Sequence, residues 1–159
     1  RQRQMCIRDS PHSMQLFVLN ADPTVGADVH FLNTGVPHAV AFLDKLEDLD
    51  ISRLGAYLRY HEAFSPKGTN ANFARILSPG HIAIRTYERG VEDETLACGT
   101  GMTACALLHA VLADAPSPIQ VDVAGGDTLK VGFQRTGDRF TDVTLTGPAD
   151  LVFTGDIQI

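Results

Sequence analysis

The sequence has no long apolar run, no excess of positive charge, no internal repeat and few cysteines. None of its apolar stretches approaches the ~18 residues that a membrane-spanning helix needs, which argues against a membrane protein. Lysines and arginines number 13 against 19 aspartates and glutamates, a formal net charge of −6. With no basic cluster, that balance argues against nucleic acid or an anionic membrane surface as a partner. The three cysteines are Cys6, Cys98 and Cys105. Their odd number and their spacings match no metal-site pattern, so they read as free thiols in a reducing cytoplasm. The absence of repeats and low-complexity tracts leaves a single domain, with or without a tail.

What is there is ordinary globular material: 159 residues, 44% hydrophobic and 20% charged. A chain of this length can bury about two-thirds of its surface, enough for a core without disulfides. Residues 1–13 are polar and follow neither strand nor helix period. They read as a disordered tail or as sequence foreign to the fold, with 14–159 as the folded unit. Strands are expected over 14–20, 29–33 and 39–43, with a loop TGVPH between the last two. Asp50 is a plausible N-cap for a helix over 51–62, with Ile51, Leu54, Leu58 and His61 on one face. A turn-rich SPKGTN precedes strands over 72–77 and 81–88. MTACALLHAVLAD (102–114) is apolar on nearly every side and predicts a buried helix. Four further strands are expected in the last forty residues, over 119–124, 128–134, 140–146 and 150–159. The pattern gives an α+β fold, mostly antiparallel strands curled around a central buried helix over 101–113.

Chemistry concentrates where that helix begins. Cys98-Gly99-Thr100-Gly101 places a thiol at a helix start, where unbonded N–H groups carry about half a positive charge. The N–H groups of Gly99, Thr100 and Gly101 can hold a carboxylate, and the same field favours thiolate over thiol. No lysine follows in the position a phosphate-binding loop requires. The plainer alternative is a buried cysteine beside a helix-starting loop. Glu88-Arg89 ends a strand just before this loop. It is either a surface ion pair or a carboxylate grip by Arg89 with Glu88 holding an ammonium. His38 follows a proline that fixes its backbone, although a lone histidine is usually structural. Asn70 sits in a Gly-Thr-Asn turn, where asparagine commonly bonds its own backbone. Cys105 reads as core, and Glu92, Asp93 and Glu94 as a solvated acidic loop.

NTGVPHAV, FSPKGTNANF, RTYERGVEDETLACGTG and GPADLVFTGDI resemble, in order and spacing, the C-terminal half of the diaminopimelate epimerase family, over 29–159. ERGVEDETLACGTG is the most specific of these segments. The resemblance implies a cofactor-independent and metal-free isomerase that interconverts LL- and meso-diaminopimelate for lysine and peptidoglycan synthesis. Two cysteines would face each other across the substrate α-carbon, one removing the α-proton and the other supplying a proton to the opposite face. Cys98 matches the second of the pair. Gly99 and Thr100 match the backbone that binds the α-carboxylate. Glu88 and His38 match polar residues beside the thiols and the α-amino group. Asn70 and Arg89 match residues reading the distal end. The implied partners are diaminopimelate, the N-terminal lobe with the first cysteine, and a second copy in a homodimer when full length.

Two departures stand out. Val36 occupies a position where the family often has asparagine, so one distal contact is missing or is supplied by another residue such as Asn33. The first catalytic cysteine and its glycine-rich helix start have no counterpart here, and MCIRDS around Cys6 does not supply them. The chain therefore reads as one lobe of a two-lobed enzyme. Three other readings stay open. The first is a proline-racemase-like lobe, disfavoured by the charged-end reading of Arg89 and Asn70. The second is an amino-acid-binding domain without turnover. The third is a cysteine hydrolase with His38 or His61 as base, which would form an acyl-enzyme.

Overall fold

The computed structural model describes residues 3–4, 17–18, 28–137, 139–149 and 153–158. Period-two alternation gives the hairpin of β3 (Asp28–Asn33) and β4 (Pro37–Phe42), antiparallel across Thr34–Val36. His38 therefore lies in a strand rather than in the expected loop. Asp50 caps α1 (Ile51–Arg59), its Oδ1 accepting the Arg53 N–H at 3.0 Å. Such a cap typically contributes about 1 kcal/mol. Ile51, Leu54 and Leu58 form the buried stripe. The helix stops at Arg59 instead of running to 62. His61 instead caps a 3₁₀ turn, Glu62–Phe64, its Nδ1 accepting the Ala63 N–H at 3.2 Å.

Beyond the turn come β5 (Asn70–Ser78), β6 (His81–Glu88) and the short β7 (Asp93–Thr95). Then follow α2 (Gly99–Ala113), β8 (Ile119–Asp122), β9 (Thr128–Thr136) and β10 (Arg139–Thr146). Asn70 thus opens a strand and does not sit in a tight turn. Of the tail expected over 1–13, only Arg3–Gln4 (β1) is described; of the strand expected over 14–20, only Phe17–Val18 (β2). The rest of those segments, Cys6 included, lies outside the described residues. The strand expected over 150–159 is absent from 153–158, where Phe153 and Ile157 stay more than four-fifths exposed.

The strands join in one sheet of order β1-β10-β9-β8-β6-β5-β4-β3-β2, with β7 beside β6. Most pairs are antiparallel, but β4–β5 and β6–β8 are parallel. Each parallel pair is bridged by a crossover through a helix, α1 for the first and α2 for the second. Alternate residues of the same strands feed two cores. Ala39, Ala41, Ala71 and Phe73 pack under Ile51, Leu54 and Leu58 of α1. Val40, Ala74, Ile82 and Ile84 pack on α2 with Ile119, Val121 and Val131. The two helices therefore lie on opposite faces. Gly55 lets α1 close on the sheet, because a Cβ there would fall 2.2 Å from Tyr87 Cβ.

The sheet curls around α2, which touches β3, β4, β5, β6, β8, β9 and β10. This is why α2 is apolar all round. Met102, Ala104, Cys105, Leu107 and Leu108 are all buried. Fully burying side chains of the Leu or Met kind contributes about 1.5–3 kcal/mol each. No helix of the described residues is long and apolar enough to cross a membrane.

Candidate active site

The site forms where α2 begins, at the β4–β5–β6 end of the sheet. Cys98 is the N-cap of α2 in extended conformation, and its side chain makes no capping hydrogen bond. The first intrahelical bond runs from the Met102 N–H to the Cys98 carbonyl at 2.8 Å. The N–H groups of Gly99, Thr100 and Gly101 precede it and have no carbonyl a turn earlier to bond. Cys98 Sγ lies 3.6 Å from Thr100 Oγ1 and the residue is 7% exposed. Thr103 Oγ1 donates back to the Gly99 carbonyl at 2.9 Å, and Thr34 Oγ1 donates to the Thr100 carbonyl at 3.0 Å. The first turn of α2 is thereby pinned to the β3–β4 connection.

A buried polar cluster backs this turn. Asn72 of β5 donates from Nδ2 to the Ala39 carbonyl and contacts His38 Nδ1, both at 3.1 Å. Its Oδ1 accepts from Thr86 Oγ1 at 3.1 Å. Gly101 permits the contact between helix and cluster, since a Cβ there would sit 2.4 Å from Asn72 Oδ1. His38 is fully buried, and burial, reinforced by the positive charge of Arg89, lowers its pKa to about 4. It is a neutral ring near neutral pH. Its Nε2 is buried with no hydrogen-bond partner among the described residues.

Asn70 and Arg89 meet beside this cluster. Parallel register sets Asn70 next to His38. Asn70 Nδ2 donates to the Pro37 carbonyl at 3.0 Å, and its Oδ1 accepts the Arg89 N–H at 2.8 Å. The Arg89 guanidinium donates to the Lys67 carbonyl at 3.1 Å and meets no carboxylate among the described residues. Glu88 and Arg89 do not pair with each other. Alternation along β6 sets Glu88 on the face of Thr86, toward α2, and Arg89 lies in the turn just beyond the strand. Arg89 lines a cleft of about 460 Å³ with Phe31, Asn33, Val36, Lys67 and Phe64. Val36 offers this cleft an apolar side chain. Asn33 lies in the same wall, its Oδ1 taken by the Gly35 N–H at 3.0 Å.

Two expectations need correction. Glu92, Asp93 and Glu94 are not a freely solvated acidic loop. Glu92 takes two bonds from Arg59 at 3.0–3.1 Å, Asp93 accepts from Ser52 at 2.9 Å, and Glu94 is gripped bidentately by Arg85 at 2.7 Å. Arg59 of α1 and Arg85 of β6 match the charges of Glu92 and Glu94, while Asp93 accepts from the Ser52 hydroxyl and the Glu94 N–H. His61 is engaged in capping and in ring contacts with Tyr57 and Phe64. Asn72, Thr86, Thr34 and the tight approach at Gly101 escaped the sequence reading. The one available signal was the Asn-x-Asn spacing at 70 and 72, which puts both side chains on one strand face. Among the described residues, no three His, Cys, Asp or Glu could hold a metal ion.

The fold is shared with amino-acid racemase and epimerase structures. A probable proline racemase from Agrobacterium radiobacter K84 superposes with a TM-score of 0.58 at 17% identity, over 86% of this chain and 47% of that one. A hydroxyproline epimerase from Agrobacterium vitis gives 0.57 at 18% identity, over 86% and 46%. At such identity the likeness speaks for the fold alone. A family model described as diaminopimelate epimerase matches residues 30–152. Relatives with that name are 45% identical over 131 residues in Chlorobaculum tepidum and 47% over 124 in Flavobacterium psychrophilum. These alignments cover 82% and 77% of this chain. The chain belongs to the diaminopimelate epimerase family. It spans about half the length of these relatives, 50% and 48% respectively.

Proposed function

We propose that this chain is one half of a cofactor-independent epimerase that interconverts LL- and meso-diaminopimelate. The start of α2 carries the reading: a buried thiol at an uncapped helix N-terminus, followed by Gly99 and Gly101. The unbonded N–H groups of Gly99, Thr100 and Gly101 suit a carboxylate. As an α-proton leaves, the electron pair of the broken C–H bond spreads into that carboxylate, and preorganised donors stabilise the charge as it forms. Cys98 works on one face of the α-carbon, giving a proton as thiol in one direction and taking it as thiolate in the other. The opposite face needs a second cysteine, from the half that the longer relatives carry. His38 and Glu88 stand beside the thiols and the α-amino group, Glu88 accepting from the ammonium, and Asn70 and Arg89 serve the distal end, beside the cleft with Val36 and Asn33. The same reading makes it a cytoplasmic step in lysine and peptidoglycan synthesis.

A binding domain without turnover would use the same N–H cradle and is the reading to test against. A cysteine hydrolase is disfavoured by geometry, because no histidine lies within hydrogen-bond reach of Cys98 Sγ among the described residues. The assay is conversion of LL- to meso-diaminopimelate in D₂O, followed by NMR at the α-position. The chain alone should neither invert the substrate nor bind it tightly. Supplying the N-terminal half of a full-length relative, in cis or in trans, should restore inversion. Cys98→Ala should then reduce it by on the order of 10²–10⁴-fold, the usual contribution of a positioned acid or base. Inversion by the chain alone that survives Cys98→Ala would overturn the two-thiol reading. Binding without inversion in the restored protein would favour the binding domain.

A further inference from the structure

We infer that Asn72 is a positioning residue that fixes the tautomer of His38 and makes its ring a hydrogen-bond donor, through Nε2–H, rather than a base. The inference starts from a carbonyl. The Ala39 oxygen can only accept, so the Asn72 atom 3.1 Å from it must be the amide NH₂. The same NH₂ has a second hydrogen, which meets His38 Nδ1 at 3.1 Å. The Asn72 oxygen is left for the Thr86 hydroxyl, which donates to it at 3.1 Å. Every polar atom of this fully buried side chain is thus used, and none can be reversed without setting two acceptors face to face.

The consequence falls on His38. A neutral imidazole has one donor and one acceptor nitrogen. With Nδ1 accepting from Asn72, the proton belongs to Nε2. Protonating the ring would turn Nδ1 into a second donor aimed at an NH₂ group, so the network opposes the cation together with burial and the nearby Arg89 charge. The Nε2–H is buried and unpartnered, and an orphaned buried donor is a cost unless an acceptor arrives. The acceptor would come with the bound molecule. That last step rests on the epimerase reading; the tautomer does not.

The test is long-range proton–nitrogen NMR on the chain with ¹⁵N-labelled histidine, near neutral pH and without substrate. The His38 signals are assigned by their loss in His38→Gln. The expected wild-type result is a neutral ring, protonated on Nε2. Asn72→Leu keeps the position dry but removes the donor, so both tautomers should appear. Asn72→Asp supplies an acceptor to Nδ1 and should give a ring protonated there, with proton affinity raised at least about tenfold. A wild-type ring protonated on Nδ1, or charged at neutral pH, overturns the inference. So does either folded variant with wild-type nitrogen shifts. Should neither variant fold, the wild-type spectrum decides. Because no turnover is read, a protein that fails to epimerise leaves this result standing, and a wrong tautomer leaves the epimerase reading standing.

Discussion

Cys98 and Cys105 lie in the same helical stretch and are both shielded from solvent, yet their surroundings differ. Cys105 is fully buried in the apolar core around α2, and burial, with a smaller contribution from Cys98, pushes its thiol up. Cys98 sits at the helix start with a hydroxyl at 3.6 Å and retains some exposure. Limited alkylation with iodoacetamide near neutral pH should therefore label Cys98 before Cys105, read by peptide mass spectrometry. Faster labelling of Cys105 in folded protein would remove the basis for the site. At this scale the motif around Cys98 and the Glu88-Arg89 pair were legible because glycines, a thiol and charged residues clustered at a strand end and a helix start. Asn70 reads as a turn residue and enters the candidate site only through the family resemblance. Asn72 was not legible. A polar residue amid apolar ones in a strand looks the same whether it faces solvent or core. Only its register with Val40 and Thr86, set by strands distant in sequence, decides.

Among elements, α2 was the most legible, because a segment apolar on every side has to be covered on every side. Leu107 is 3% exposed within it. Leu107→Asp should abolish cooperative unfolding, since an unpaired buried charge costs several kcal/mol; a wild-type melt would contradict the packing. Its first turn makes a subtler demand. Replacing a helical glycine by alanine ordinarily stabilises by roughly 0.5–1 kcal/mol. At Gly101 the added methyl would fall 2.4 Å from Asn72 Oδ1. Gly101→Ala should instead destabilise by about 1–3 kcal/mol, the range for overpacking, measured by urea denaturation. A gain in stability would mean that helix and amide are not in contact. The end of α1 was illegible for a different reason. His61 keeps the helical period, but as a cap for the following 3₁₀ turn it satisfies the Ala63 N–H more locally. Periodicity alone does not register that competition.

For the molecule as a whole, the mixed class and the curl around one helix followed from the patterns, while the two parallel crossovers did not. Strand pairing across α1 and α2 is a long-range choice, and period-two alternation is the same for parallel and antiparallel neighbours. The curl has an electrostatic consequence. It encloses His38 and His109 almost completely and leaves His30 only 7% exposed. Burial lowers the pKa of all three, with Asp28 partly offsetting the effect at His30. The unfolded chain then binds protons that the folded protein refuses, so stability must rise with pH across this window. The contribution of His38 is complete above its unfolded value of 6.5 and is lost progressively down to about 4. That span corresponds to about 3 kcal/mol. Asp122 and Glu92 behave differently. Burial opposes their ionisation, but bonds from Thr128 and His81, and from Gly90 and Arg59, outweigh it. Their stabilisation is lost only as pH falls below the ordinary carboxylate range, from the usual values of 3.8 for Asp122 and 4.5 for Glu92. Urea midpoints should therefore already fall between about pH 6.5 and 5, where carboxylates barely titrate. His38→Gln, if folded, should flatten that slope. A wild-type midpoint constant over the interval would show that the three rings are not held neutral by the fold.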